Sequence, residues 1–280
     1  MKKLCTMTQA QLLSVLPRYL RQNGYKPKVT KEYIIAEGTL PICLVAHLDT
    51  IHELEHNGVA PTTVLYDAKE QLMMAVGGKC ADDRAGVYAI IQLVSEGYRP
   101  HIIFTVGEES GGIGASALIA RMKKCPFKKV KAIFQLDRRG QKDCVFYQCG
   151  NTSFTEFMES YGFETARGTF TDISIIAPAW KIAAVNLSVG YENEHSSIET
   201  LDVIWLAETI QKVRQIFDEV DKMPFFEYIA APFTLDTWGF FNNKDVCIIC
   251  GHPLNGGGVS RTDEYGTYKM CKNCAEDLFD

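Results

Sequence analysis

The sequence contains no apolar run of the roughly 18 to 20 residues that a membrane-spanning helix needs. It also lacks internal repeats and low-complexity tracts. Near its start, MKKLCTMTQAQLL has polar residues where a secretory signal would have its apolar segment, so we expect no secretory leader. These absences argue against a transmembrane protein, a repeat array and a secreted protein.

An excess of one charge is also missing, because 29 lysines and arginines stand against 34 aspartates and glutamates. The resulting formal net charge of −5 over 280 residues argues against binding of nucleic acid or membrane through charge alone. Hydrophobic residues make up 46% of the chain and occur along its whole length, which argues against disorder. The length favours one main domain and a smaller one.

The ten cysteines fall into two groups. Four of them form two CxxC pairs, Cys247 with Cys250 and Cys271 with Cys274, separated by 20 residues. This spacing predicts a zinc-ribbon-like module over 246–280, in which four thiolates hold one structural zinc. The zinc would supply folding energy that so short a segment lacks. The other six are scattered in mostly apolar surroundings, as is typical of reduced thiols in a cytoplasmic protein: Cys5, Cys43, Cys80, Cys125, Cys144 and Cys149.

The segment between the two CxxC pairs bears on the role of this module. Its only basic residues are Arg261 and Lys269, too few to favour nucleic-acid binding. His252 offers a Cys3His alternative to the four-thiolate site. We expect the module to contact a protein partner, to gate substrate or to stabilise the main domain. Residues 231–245 are expected to connect it to a main domain over 1–230.

Short apolar runs alternate with helical patterns between about residues 41 and 220. The predicted strands are 41–47, 101–107, 130–137 and 181–190, and the predicted helices are 83–97, 114–124, 151–162 and 197–220. This alternation predicts a three-layer α/β/α sandwich with a mixed, centrally parallel sheet. Residues 28–38 and 62–76 have the character of strands at a sheet edge, singly or as hairpins. Residues 8–22 have a helical pattern that contains Pro17, which predicts a kinked or split helix.

Residue types that bind metals follow the predicted strands where each strand ends. His47 closes the first strand, and Asp49 lies two residues later. Residues at this spacing share one face of a strand, so the Asp49 carboxylate can orient the imidazole of His47. Further candidates follow the later strands or begin a helix: Asp82, Asp83, Glu108, Glu109, Asp137 and His195. Because sites in open α/β sheets lie at the carboxyl ends of strands, we expect these residues to form a metal site.

The segments HLDT, ADDRAG, GEESGGIGA, LDR and EHSSIET, in this order, resemble the co-catalytic dizinc peptidases of clan MH. That group contains aminopeptidases, carboxypeptidases, di- and tripeptidases and N-acyl amino acid deacylases. The resemblance covers roughly residues 40–215. It implies that His47 and Asp137 hold one zinc and that Glu109 and His195 hold the other. Asp82 is implied as the ligand that bridges both ions.

The bridging assignment follows the family's DxxxG spacing from Asp82 to Gly86, and Asp83 is the alternative. The resemblance also implies that Asp49 orients His47 and that Glu108 is the general base. In that mechanism a metal-bound hydroxide attacks the scissile amide carbonyl. Zinc is the expected metal at the catalytic positions, with Co2+ or Mn2+ as alternatives that these ligands also accept.

These features predict a cytoplasmic hydrolase that cleaves an amide bond in a small peptide, with aminopeptidase action as the first expectation. An N-acyl amino acid deacylase and a carboxypeptidase-like hydrolase are alternatives, because all of them share the metal residues. A second class of function is a non-catalytic binding protein that docks a partner through the zinc ribbon. Retention of Glu108 favours the enzyme, since a purely binding relative does not need a base.

Several other polar residues are weaker candidates. We expect His52 and His56, which lie in a polar segment, to face solvent or substrate instead of a metal. Asp172, in the segment FTDIS, is a candidate for the substrate pocket. Tyr191 and Arg138 flank implied ligands and are candidates for substrate contact.

Overall fold

The computed structural model describes residues 1–231, 254, 257–263, 266–270 and 272. The chain divides into two compact units, Met1–Ala230 and Ala231–Asp280. In the second unit, the segment Val259–Asp263 pairs antiparallel with Gly266–Met270. The cysteines of the predicted zinc ribbon lie outside the described residues, as does the predicted connector beyond Ala231: Cys247, Cys250, Cys271 and Cys274. The module over 246–280 therefore stays a prediction.

A mixed sheet forms the centre of the first unit. The strands of this unit are β1 (Lys28–Val29), β2 (Tyr33–Ala36), β3 (Leu40–His47), β4 (Val64–Asp67), β5 (Leu72–Ala75), β6 (Pro100–Thr105), β7 (Ala132–Arg138), β8 (Asp143–Val145), β9 (Glu164–Thr165), β10 (Ala184–Ser188), β11 (Tyr191–Glu192) and β12 (Thr200–Asp202). Within the described residues, the central sheet has eight strands in the order β1-β2-β6-β3-β7-β10-β8-β9. Strands β6, β3, β7 and β10 are parallel, and the antiparallel pairs lie towards the edges. The predicted mixed, centrally parallel sheet is confirmed.

Helices cover both faces of the central sheet. They are α1 (Lys2–Cys5), α2 (Gln9–Gln22), α3 (Ile51–Glu55), α4 (Ala81–Ser95), α5 (Ile113–Arg121), α6 (Thr152–Ser160), α7 (Asp172–Trp180) and α8 (Val203–Asp218). Alternate residues of each central strand face opposite sides, as strand geometry requires. Phe134 of β7 packs in the apolar core shared with α4 and α8, whereas its neighbour Ile133 packs in the core shared with α5 and α7. The α/β/α layering is therefore built on strands that are apolar on both faces.

Two predicted helices differ in detail from the structure. Helix α2 runs without interruption through Pro17, so the prediction of a split helix is wrong. Its leucines Leu12, Leu16 and Leu20 are buried along one face, and their packing stabilises the helix across the proline. Helix α8 begins at Val203 instead of residue 197, because the Asp202 carboxylate caps it by accepting the first free backbone N–H groups.

The first unit also contains a smaller sheet, which is separate from the central one. Within the described residues it has four strands in the order β11-β12-β5-β4. The segment 62–76 forms the β4–β5 hairpin at one edge of this sheet, as predicted for edge strands. Residues 28–38 form the predicted edge hairpin of β1 and β2 in the central sheet.

Two expectations from composition concern membranes and thiols. Among the described residues, no helix combines the length and the hydrophobicity that crossing a membrane requires. The six scattered cysteines are free thiols, and five of them are buried. They therefore pack as small apolar side chains in the described part of the chain and form no disulfide framework there.

Candidate metal centre

The residues predicted from the strand ends converge at one edge of the central sheet. His47 is the last residue of β3, and Asp137 lies near the end of the neighbouring parallel strand β7. The Nε2 atom of His47 lies 3.1 Å from Oδ1 of Asp82 and 3.3 Å from Oδ1 of Asp137. All three side chains are buried. One imidazole nitrogen and two carboxylate oxygens thus form a first group that could hold a cation.

A second group shares Asp82 with the first. The other carboxylate oxygen of Asp82, Oδ2, lies 3.3 Å from Nε2 of His195. The same nitrogen lies 3.0 Å from Oε1 of Glu109. Asp82 therefore presents one oxygen to each group, which is the geometry of a carboxylate that bridges two cations.

Asp83 belongs to neither group. Its Oδ1 atom accepts a hydrogen bond from the backbone N–H of Gly86 at 2.8 Å, and its Oδ2 atom accepts one from the N–H of His47 at 3.2 Å. The peptide bond that joins Asp82 and Asp83 is cis. Of the two aspartates considered from the sequence, the geometry thus favours Asp82 at the bridging position, while Asp83 ties the start of α4 to the end of β3.

The unpaired atoms of the site test whether these residues fit a metal. Oε1 of Glu109 is buried and has no hydrogen-bond partner in the described residues. It lies close to Nε2 of His195, but the two atoms are not aligned for a hydrogen bond. A buried carboxylate oxygen without a hydrogen-bond donor is suited to bind a cation. Two imidazoles and three carboxylates suit Zn2+, and they also accept Co2+ or Mn2+.

Asp49 links the two halves of the site. Its backbone carbonyl oxygen lies 3.2 Å and its Oδ1 atom 3.4 Å from Nδ1 of His47, on the side of the ring away from the first group. Oδ1 also accepts hydrogen bonds from the N–H groups of Gly107 at 2.9 Å and Glu108 at 3.1 Å, and Oδ2 accepts one from the N–H of Glu109 at 3.0 Å. One buried carboxylate therefore orients the imidazole and fixes the turn that carries both glutamates.

The charges of the site shift the pKa values of its histidines. Burial alone would lower the pKa of His47, but Asp137, Asp49 and Asp82 raise it well above its ordinary value. Burial opposes the carboxylates at His195 too, yet Asp82 and Glu109 raise the pKa of His195 to about 11. A proton therefore competes with a cation for both ligand nitrogens.

Glu108 lies outside both groups, on the turn that Asp49 fixes. Burial raises the pKa of Glu108 well above its ordinary value, and the negative charges of Asp137 and Asp172 raise it further. A carboxylate with a raised pKa is suited to accept a proton and to return it near neutral pH. The environment of Glu108 is therefore compatible with the role of general base.

Sequence reasoning missed the residues that hold Asp137 in place. Oδ2 of Asp137 accepts hydrogen bonds from Nε2 of Gln135 and from Oγ1 of Thr171, both at 2.8 Å. The side-chain oxygen of Asn186 accepts the backbone N–H of Asp137 at 2.9 Å. The Tyr191 hydroxyl lies 3.4 Å from Oδ1 of Asp137 and is buried, so its predicted contact with substrate is wrong. A signal was present in the sequence, because Gln135 is a polar residue inside an otherwise apolar run.

Two of the weaker candidates also differ from expectation. His52 is buried and stacks on His56 with ring centroids 4.2 Å apart, so of the two expected positions it does not face solvent, whereas His56 is exposed. Asp172 is fully buried and accepts a hydrogen bond from the hydroxyl of Thr105, which places it beneath the surface instead of at a pocket mouth. Neither His52 nor Asp172 belongs to either of the two metal-compatible groups.

No protein-family model and no curated protein matches this sequence. Solved structures of similar fold include aminopeptidase PepT from Bacillus cereus ATCC 10987, with a TM-score of 0.59 and 16% identity over 79% of this chain and 96% of that one. A tripeptidase from Staphylococcus aureus subsp. aureus Mu50 has a TM-score of 0.61 and 14% identity, with the same coverage. An aminopeptidase from the archaeon Desulfurococcus kamchatkensis has a TM-score of 0.60 and 13% identity over 79% of this chain and 95% of that one. At these identities the likeness establishes the fold: the first unit has the architecture of these peptidases.

Proposed function

We propose that this protein is a metal-dependent aminopeptidase that acts on small peptides with a free amino end. The observation that carries the proposal is the position of Asp82, which presents one carboxylate oxygen to His47 and Asp137 and the other to Glu109 and His195. The fold of solved aminopeptidases and of a tripeptidase supports the same reading. Zinc is the metal that we propose for both positions.

The role of each residue follows from its surroundings. His47 and Asp137 would hold one cation, and Glu109 and His195 the other, with Asp82 shared between them. Cations bound there supply Lewis acidity for the amide carbonyl and for water. Glu108 takes a proton from the attacking water on a carboxylate oxygen and returns it to the nitrogen of the leaving amine.

The solved structures of similar fold favour an aminopeptidase over the alternatives. Of the three named above, two are aminopeptidases and one is a tripeptidase. A carboxypeptidase-like hydrolase or an N-acyl amino acid deacylase would use the same metal residues, so the choice of substrate distinguishes them.

The test is hydrolysis of matched peptides by the zinc-loaded protein. We expect cleavage of unblocked di- and tripeptides and little cleavage of the same peptides after N-acetylation. Glu108→Gln should lower kcat by about 10²- to 10⁴-fold, because it removes the base, without changing the metal content. Glu70→Gln, which changes an exposed carboxylate on the β4–β5 hairpin, is the matched control. A wild-type protein that holds two metals and cleaves none of the peptides would favour the non-catalytic binding protein.

We also propose a structural zinc in the C-terminal module and a cytoplasmic location. The spacing of the CxxC pairs supports the zinc, and the free thiols of the described chain support the location. Elemental analysis of the loaded protein should give about three zinc ions per chain. Replacement of Cys247 and Cys250 by serine should remove one of them and leave peptide hydrolysis in place.

A further inference from the structure

Glu199 is a buried carboxylate that joins two segments carrying proposed ligands. It is 2% exposed and lies in the loop between β11 and β12. Its Oε1 atom accepts a hydrogen bond from the backbone N–H of Ala81 at 2.5 Å. Its Oε2 atom accepts one from the backbone N–H of His195 at 3.2 Å. Ala81 directly precedes Asp82, so one side chain is bonded to both segments that meet at the second group.

Glu199 does not belong to either group of ligand atoms. Both of its oxygens already accept hydrogen bonds from backbone amides. It therefore differs from Glu109, whose Oε1 atom is buried without a hydrogen-bond partner among the described residues. The contacts of Glu199 are those of a residue that holds ligands in place.

The position of His195 depends on such support. Its side chain is 40% exposed, whereas the side chains of Asp82 and Glu109 are 8% and 5% exposed. Its backbone has a φ of +61°, a left-handed conformation that a residue with a side chain adopts only when its surroundings hold it there. Packing around the half-exposed His195 side chain is therefore too limited to hold this residue in place. The hydrogen bond from the His195 N–H to Glu199 fixes its backbone.

The two loops also approach closely beside this contact. Gly78 has a φ of +67°, and a Cβ atom at this position would lie 2.7 Å from the carbonyl carbon of Ser197. The backbones of the Gly78 loop and the His195 loop thus touch without an intervening side chain. Glu199 supplies the polar link at this junction, where the spacing of the loops sets the distance from Asp82 to His195.

We infer that Glu199 is a positioning residue for the second metal position, formed by Asp82, Glu109 and His195, and that it acts by clamping the His195 loop to the start of α4. The inference rests on the metal centre of the proposed function. It predicts that loss of the clamp weakens binding at this position and spares the position formed by His47, Asp82 and Asp137, because His47 and Asp137 lie on adjacent strands and Asp83 still ties the start of α4 to the N–H of His47.

The experiment measures Zn2+ affinity at both positions, by chelator competition, for the wild type and for Glu199→Gln. Glutamine keeps the length of the side chain but has one acceptor oxygen, so it can serve only one of the two loops. His195→Ala and His47→Ala identify which binding step belongs to which position, and replacement of Cys247 and Cys250 by serine identifies the step of the proposed structural zinc. Glu194→Gln is the matched control, because Glu194 adjoins His195 but pairs with Arg139 at 2.6 Å and not with the Ala81 segment.

We expect Glu199→Gln to weaken the step that His195→Ala removes by about 10- to 100-fold, and to leave the other step within about twofold. Glu194→Gln should leave both steps within the same limit. If Glu199→Gln does not fold, Glu199→Asp replaces it, since aspartate keeps the charge but is too short to reach both amides, and the same loss is expected.

Two results would overturn the inference and leave the proposed function in place. One is a lower melting temperature of Glu199→Gln with both zinc affinities unchanged, which would make Glu199 a purely structural residue. The other is an equal loss in Glu194→Gln, which would show that any missing negative charge has this effect. Absence of zinc binding in the wild type would overturn both the clamp and the proposed function. A wild type that binds two zinc ions without hydrolysing peptides would refute only the proposed activity, and the affinities would still decide the role of Glu199.

Discussion

The contacts of Asp49 allow the cost of its replacement by asparagine to be worked out. The side chain is 3% exposed and accepts backbone N–H groups from three consecutive residues while it contacts Nδ1 of His47. In Asp49→Asn one oxygen becomes an NH2 group that faces at least one of those donors. A buried donor left without a partner costs about 1 to 3 kcal/mol. The remaining hydrogen bonds lose their charge assistance, at about 1 kcal/mol each.

Loss of the buried charge offsets part of this cost, because asparagine has a smaller desolvation penalty than an ionised carboxylate. We therefore expect Asp49→Asn to lower the free energy of unfolding of the metal-free protein by about 2 to 4 kcal/mol in urea. Zinc affinity should fall by up to about 10- to 100-fold, because the His47 ring loses the carboxylate beside Nδ1 and keeps only the backbone carbonyl of residue 49, while the turn that carries Glu109 loses part of its support.

Asp67→Asn is a matched control for this experiment. Asp67 also accepts two backbone N–H groups, from Lys69 at 2.8 Å and Glu70 at 3.2 Å, but it is exposed in the turn of the β4–β5 hairpin. Its replacement should change the free energy of unfolding by about 0.5 kcal/mol or less. Equal costs for the two variants would refute the reasoning, since burial and convergence of amides at Asp49 would then contribute nothing.

Three further outcomes test the site and its supports. Zinc binding should weaken as the pH falls and should release protons between about pH 6 and 8. The reason is that carboxylates raise the pKa of His47 well above its ordinary value and that of His195 to about 11, so zinc must displace protons. A calorimetric heat of binding that does not vary with the ionisation enthalpy of the buffer would contradict this prediction. Arg84→Met should lower the free energy of unfolding in urea by about 3 to 5 kcal/mol, because it leaves Glu53, 2.7 Å away, as an unpaired buried carboxylate. A change near zero would show that the ion pair is not needed for stability. Gly78→Ala should destabilise the fold and weaken zinc binding at the position that includes His195. The control is Gly24→Ala, where the φ is +85° and the space is open, so that only the backbone cost of about 1 to 2 kcal/mol is expected. Similar losses of stability in both variants would mean that the contact with Ser197 is unimportant.

The convergence of the residues at the strand ends could be predicted because two simple regularities locate them. An apolar run that ends in His47 or in Asp137 marks the carboxyl end of a buried strand, and such ends meet at one edge of an open sheet. The spacing of two residues between His47 and Asp49 also places both on one side of the chain. For these residues, the pattern along the sequence and the geometry of the sheet lead to the same arrangement.

The choice between Asp82 and Asp83 needed the structure. Both lie in the first turn of α4, but their backbones are not helical, with ψ values of 111° and 43°. Helical spacing therefore does not describe where their side chains point. The polar network around Asp137 was missed for a different reason. Gln135 and Asn186 lie inside buried strands, and only the folded chain shows which groups their side chains bond.

The secondary structure that was missed is short or irregular. Strands β11 and β12 span two and three residues, too few for an alternating pattern to appear, and β12 pairs with a hairpin more than 100 positions away along the chain. Helix α7 contains Pro178, which argues against a helix in single-sequence reasoning, and it begins at Asp172, which was considered only as a pocket residue.

The two proposed metal positions differ in what holds them. The first takes His47 and Asp137 from adjacent parallel strands, so the backbone hydrogen bonds of the sheet fix their spacing. The second takes Glu109 from a turn after β6 and His195 from the loop between β11 and β12, and neither residue lies in a strand. Side chains must supply the missing constraint on the backbone there, and the structure has two that do so, since Asp49 holds the turn and Glu199 holds the loop. Substitutions that free the backbone of a ligand should therefore act mainly on the second position, whereas substitutions of Gln135 or Thr171 should act on the first by releasing the Asp137 carboxylate.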